Sequence, residues 1–154
     1  GVLAARMYAD GDYGEKVLSL TASLNHGAIS GDPYIRMDGR QVFRLAVEGL
    51  VGSAREVADL ACVHTEDVAL FVPHQANLRI IDAVAKRIGL PREKCMLIIE
   101  KYGNTTAATI PLCLWDYESR LAKGDNLILA SFGGGFTWGS IYLKWAYDGG
   151  DFSK

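Results

Sequence analysis

The stretch Val68-Ala69-Leu70-Phe71-Val72-Pro73-His74-Gln75-Ala76-Asn77-Leu78-Arg79-Ile80-Ile81 decides how this chain folds. Residues 68–72 form a continuous apolar run, the pattern of a strand buried on both faces. Pro73 cannot donate to a ladder, so the strand ends there. A helix is predicted from about Gln75 to Ile88, because Leu78, Ile81, Ala85 and Ile88 share one face. Gly89 follows as its left-handed C′ residue. A buried strand feeding an amphipathic helix is the unit of a layered α/β fold.

Reading downstream, residues 96–99 make a second buried strand, and a third helix runs from about Thr105 to Ala122. Pro111 inside that helix should remove one backbone hydrogen bond and bend it. Lys123-Gly124-Asp125 is a turn, residues 127–132 a strand, Gly133-Gly134-Gly135 a tight turn, and residues 136–145 a final alternating strand. The last two strands should form an antiparallel hairpin. Upstream, Asp38 N-caps a long helix whose Val42, Phe43, Ala46, Val47, Leu50, Val51, Ala54, Val57 and Ala58 follow the helical period. Gly49 and Gly52 within it each cost about 1 kcal/mol against Ala, and close packing would be the reason to keep them. Residues 2–9 read as a strand that stops at the turn cluster Asp10-Gly11-Asp12-Tyr13-Gly14. Residues 16–20 read as a short strand and residues 21–33 as a loop. The expectation is an α/β fold with a mixed sheet.

The 154 residues are 49% hydrophobic and 22% charged, with a net charge of −2, which suits one globular domain and gives no general attraction to nucleic acid or membrane. No run of about 18 apolar residues is present, and no basic-then-apolar leader opens the chain. Cys62, Cys95 and Cys113 are an odd, widely spaced set without a CxxC, so a reducing cytoplasmic setting is expected rather than a disulfide scaffold.

Ligands of open α/β sheets bind beyond the carboxyl ends of the strands. Three signals fall there: His74-Gln75-Ala76-Asn77, Gly103-Asn104-Thr105-Thr106 and Gly133-Gly134-Gly135. A lone His is more often structural than catalytic, but in a pocket His74 would serve as a hydrogen-bond donor or base. A helical zinc pair would need a second His at i+4, where Leu78 stands, so no metal is expected. Asn104 precedes a helix and could simply cap it; beside a neutral imidazole its amide would instead complete a two-donor site for an oxyanion. The glycine turn precedes a strand, whereas a dinucleotide fingerprint needs a helix N-terminus. Its backbone N–H groups could still approach a ligand closely, with no Cβ in the way. Arg79, Lys86 and Arg87 on one helix, and Arg36, Arg40 and Arg44 on another, are either solvated surface or a docking patch for an acidic partner or a phosphate.

These motifs together resemble the C-terminal half of a thiolase-fold condensing enzyme of the β-ketoacyl-acyl carrier protein synthase III family. Residues 72–81 resemble its histidine segment. Tyr102-Gly103-Asn104-Thr105-Thr106-Ala107-Ala108 resembles its asparagine segment, and residues 132–139 its closing loop. Met37-Asp38-Gly39-Arg40-Gln41-Val42-Phe43 resembles a segment that contacts the pantetheine arm. Asn104 stands where elongating synthases have a second histidine, and Phe132 where degradative thiolases have a second cysteine.

The resemblance implies the C-terminal half of a five-layered α-β-α-β-α fold, with a mixed sheet and helices on both faces. It implies residues 1–33 as the last strands of the N-terminal half plus a connecting loop, and residues 34–144 as the C-terminal domain. Residues 145–154 are a tail without a role. It implies a Cys-His-Asn triad whose cysteine lies in the N-terminal half; Asp59-Leu60-Ala61-Cys62 is only a partial look-alike, so this chain alone is expected to be inactive. His74 and Asn104 would be catalytic, and the Gly134 backbone N–H would serve a second oxyanion hole. Gly39, Phe43, Asn77 and Phe132 would contact the pantetheine and acyl groups, and Arg44, Arg79, Lys86 and Arg87 the carrier protein. The substrates implied are an acyl-CoA and a malonyl-carrier protein, with no cofactor, in a cytoplasmic homodimer. A related acyltransferase of secondary metabolism, or a subunit paired with a cysteine-bearing partner, is the alternative.

Overall fold

Alternate residues of the two parallel strands of the main sheet point to opposite faces, and each face of that pair meets a core. The computed structural model describes residues 1–13, 17–19, 23–25 and 28–149. In chain order its elements are β1 (Val2–Ala9), β2 (Leu18–Ser19), β3 (Ser23–Asn25), β4 (Ala28–Ser30), β5 (Arg36–Met37), α1 (Gly39–Leu60), β6 (Leu70–Pro73), α2 (Leu78–Ile88), α3 (Ile99–Tyr102), α4 (Thr109–Tyr117), β7 (Asn126–Gly133) and β8 (Thr137–Lys144). The main sheet has the order β1-β8-β7-β6, with β6 and β7 parallel and the other pairs antiparallel.

On one face, Phe71 of β6 and Ile128 and Ala130 of β7 pack against Val47, Leu50, Ala54 and Val57 of α1 and Ile81, Val84 and Ala85 of α2. On the other, Leu70, Val72 and Leu127 pack with Met96, Ile98 and Cys113. The apolar run is therefore apolar throughout because each side of its pleat meets a separate core. Full burial of one such side chain is worth about 1.5–3 kcal/mol. The mixed sheet, the helices on both faces and the β7–β8 hairpin match the expectation from sequence.

Several boundaries differ. Residues 96–99 do not form a strand: Cys95 bridges Phe71 once, and Met96 N–H donates to the Phe71 carbonyl at 2.9 Å. The buried Gln75 amide takes the next groups instead. Its Nε2 donates to the Met96 carbonyl at 3.0 Å, and its Oε1 accepts from Ile98 N–H at 3.0 Å. A side chain thus satisfies the backbone that a neighbouring strand would have satisfied.

The helix after His74 begins only at Leu78, because Asn77 caps it by accepting from Arg79 N–H at 2.9 Å. Gly89 closes it at φ +81°, as expected. The third helix is shorter than expected, with 3-10 turns at Thr106–Ala108 and Glu118–Arg120 flanking α4. Thr106, at φ +52°, interrupts the helical backbone before it. Pro111 does not break a ladder, since it is the third residue of α4 and a first-turn N–H has no helical partner anyway.

Asp38 caps α1 as expected, accepting from the Arg40 and Gln41 N–H groups. A Cβ on Gly49 would lie 2.9 Å from Trp138 Cδ1, so close packing explains this glycine; Gly52 faces open space, so it does not explain the other. The β3–β4 hairpin replaces part of the expected loop at 21–33, and residues 20–22 and 26–27 lie outside the described residues. So do Gly14 of the expected turn and Lys16 of the expected strand.

The boundary expected after residue 33 does not divide the sheet. β1 pairs along its length with β8, and a Cβ on Gly139 would meet the Arg6 carbonyl at 2.4 Å, so the two strands are in intimate contact. The tail as far as residue 149 folds back. Trp145 N–H donates to the Asp125 carbonyl at 2.8 Å, and Gly149 N–H to the Leu121 carbonyl at 2.7 Å. Residues 150–154 lie outside the described residues.

Candidate active site

His74 sits one residue beyond β6. Its backbone N–H extends the parallel ladder by donating to the Ala130 carbonyl at 2.8 Å, which anchors the ring at the sheet's carboxyl edge. The side chain is half-buried, and burial pushes its pKa down from the ordinary histidine value, which favours the neutral imidazole. Its Nδ1 lies 2.6 Å from Thr109 Oγ1 at the start of α4. Gln75, fully buried beside it, also donates to the Pro73 carbonyl at 2.8 Å and so pins the loop from below.

Asn104 reaches the same place from the connection between α3 and α4. Its Oδ1 accepts from Thr106 N–H at 3.0 Å. That local turn commits the amide oxygen and leaves the NH2 group as the free donor. A cavity of about 540 Å³ is lined by His74, Asn77, Asn104, Phe132, Gly133 and Gly134, with Leu18, Met37, Val42, Ala46 and Leu50 among its other wall residues. A neutral imidazole and an oriented amide converge there in an apolar surround, the arrangement that stabilises a developing oxyanion without a full opposite charge.

Of the residues expected from sequence, the structure thus brings His74, Asn77, Asn104, Phe132 and Gly134 to one cavity. Gly39 and Phe43 lie outside its wall. Gly39 is exposed, and a Cβ there would meet nothing within 4 Å. Phe43 packs against the α1–α2 core with the Arg79 guanidinium 5.7 Å above its ring; the α1 residues that face the cavity are Val42, Ala46 and Leu50. Arg44, Arg79, Lys86 and Arg87 are all exposed, and among the described residues no carboxylate lies within 4 Å of them.

None of the three cysteines lines the cavity. Cys62 is exposed just past α1, while Cys95 and Cys113 are buried, which pushes their thiols up to about 11 and about 12. Such thiols carry almost no thiolate at neutral pH. Among the described residues no group of His, Cys, Asp and Glu could hold a metal ion. Sequence reasoning missed Gln75 and Thr109. For Gln75 the signal was a polar residue in the second place after a fully buried strand; Thr109 carried none, because only the fold brings it to His74.

Sheet order, helices on both faces and a His-Asn cavity at the strand ends define the class as a thiolase-type α/β domain. The model of the family described as 3-oxoacyl-[acyl-carrier-protein (ACP)] synthase III C terminal matches residues 59–145. The chain is 54% identical over 116 residues to beta-ketoacyl-[acyl-carrier-protein] synthase III of Porphyromonas gingivalis, covering 75% of this chain and 35% of that protein. It is 46% identical over 153 residues to the synthase III of Chlorobium chlorochromatii, covering 94% and 46%. The crystal structure of 3-oxoacyl-[acyl-carrier-protein] synthase III from Aquifex aeolicus superposes with a TM-score of 0.83 at 41% identity, covering 94% of this chain and 44% of that one. This chain belongs to the β-ketoacyl-ACP synthase III family and corresponds to its C-terminal domain. It spans less than half the length of these relatives.

Proposed function

We propose that this chain provides the decarboxylation machinery of a β-ketoacyl-ACP synthase III, which joins an acyl group from acyl-CoA to malonyl-ACP. The observation that carries this reading is the convergence of neutral His74 with the free amide donors of Asn104 in one cavity. The malonyl thioester oxygen would sit between the two donors. The bond from the α-carbon to the carboxylate breaks, CO2 leaves, and the electron pair passes onto that oxygen as an enolate. The α-carbon then attacks the acyl thioester held on the nucleophilic cysteine, whose thiolate departs. The Gly134 N–H would serve the oxyanion of this second step.

The cysteine belongs, on this reading, to an N-terminal half that covers the α4 face of the sheet. A second cavity of about 760 Å³ there, lined by Met7, Ile110, Pro111, Leu129 and Ile141, supports such a cover, and Met7 is 85% exposed without one. The chain by itself would then be inactive. The complete enzyme would work as a cytoplasmic homodimer, with no cofactor beyond its thioester substrates. Exposed Arg44, Arg79, Lys86 and Arg87 would meet the acidic carrier protein.

The test uses the complete protein from its natural reading frame. His74→Ala or Asn104→Ala is expected to slow malonyl-ACP decarboxylation about 100- to 1000-fold, the usual cost of one lost oxyanion donor. Acylation of the cysteine by radiolabelled acyl-CoA should persist. Equal losses in both half-reactions would overturn the assignment.

A further inference from the structure

A neutral imidazole carries one ring proton, and only on Nε2 can that proton serve the cavity, because Nδ1 is turned to Thr109. The tautomer therefore determines whether His74 is a donor at all. The Nδ1 to Thr109 Oγ1 separation is 2.6 Å. That is shorter than the ~2.7–3.2 Å of an N–H donor and within the ~2.5–3.0 Å of a hydroxyl donor.

The other acceptor within reach of the Thr109 hydroxyl is the Thr106 carbonyl, at 3.0 Å. It lies at the long end for a hydroxyl donor and already accepts from the backbone N–H of Thr109 itself. Thr109 is 1% exposed, so water does not compete for its proton. The left-handed Thr106 and the start of α4 hold the side chain in this position.

We infer that Thr109 is a positioning residue: its O–H donates to His74 Nδ1 and so holds the ring as the Nε2–H tautomer, the form that can donate to an oxyanion. This inference deepens the proposed function and rests on it for its catalytic meaning, but the tautomer itself can be read without any activity.

The experiment is 15N NMR of the complete protein labelled at histidine, with His74 assigned by its loss in His74→Gln. The unsubstituted protein should show a pyridine-type Nδ1 and a protonated Nε2. Thr109→Val should shift His74 toward a mixture of tautomers, and Thr109→Ser should keep the original form. In parallel, kcat for malonyl-ACP decarboxylation should fall about tenfold or more in Thr109→Val with little change in KM, the mark of a lost transition-state interaction. Thr109→Ser should restore it. A protonated Nδ1 in the unsubstituted protein, or an unchanged tautomer in Thr109→Val, would overturn the inference. If Thr109→Val does not fold, the unsubstituted spectrum still decides. If the unsubstituted protein decarboxylates nothing, the proposed function fails, and the NMR result still judges Thr109 separately.

Discussion

His74 is kept neutral by burial, and that has a cost on the acid side. Its folded-state pKa is pushed down from the ordinary histidine value by burial, so well above that value neither the folded nor the unfolded state holds the extra proton. As pH falls below that value the unfolded chain binds it first, and stability is lost through the window down to the depressed value. Chemical unfolding measured between pH 5 and pH 8 should therefore show a smaller acid loss for His74→Gln than for the unsubstituted protein. Parallel curves would mean that the ring is not buried as described. At this scale the sequence was partly readable. His74 and Asn104 stand out because each lies beyond the end of an apolar run. Gln75 and Thr109 act through partners 20 or more residues away, and no local pattern announces such partners.

Among the elements, α1 carries the sharpest contrast. Gly49 and Gly52 look alike in a helical pattern, but one faces Trp138 of β8 and the other faces open space. An added Cβ at 49 must displace an indole, and overpacking of that kind costs about 1–3 kcal/mol. The same change at 52 gains the helix propensity of Ala, about 1 kcal/mol. Thermal unfolding should show Gly49→Ala melting lower and Gly52→Ala melting higher than the parent; equal shifts would refute the packing account. The α1 period, the Asp38 cap and the Gly89 stop were legible because each is a local interaction. Residues 96–99 were misread as a strand because β propensity says nothing about whether a neighbouring strand or a glutamine side chain takes the backbone hydrogen bonds.

Across the whole molecule, four exposed cations, Arg44, Arg79, Lys86 and Arg87, lie on α1 and α2 in a chain whose net charge is −2. If they receive an acidic carrier protein, Arg79→Glu should weaken its binding and raise the KM for malonyl-ACP severalfold. That effect should fade above about 0.5 M salt, as the screening length drops well under the 8–10 Å of physiological buffers. An unchanged KM would make the patch ordinary surface. The apolar runs, their turn residues and the helical periods by themselves determined a mixed α/β sheet with helices on both faces, since burial of alternating and 3.6-period side chains is a local consequence of composition. The motif residues likewise announced the edge at which the site lies. Only the tertiary structure decided that β1 joins the same sheet, that Phe43 turns from the cavity to the core and Arg79, and that Thr109 meets His74. Each of those depends on contacts between residues far apart in the chain, which form only when the whole sheet closes.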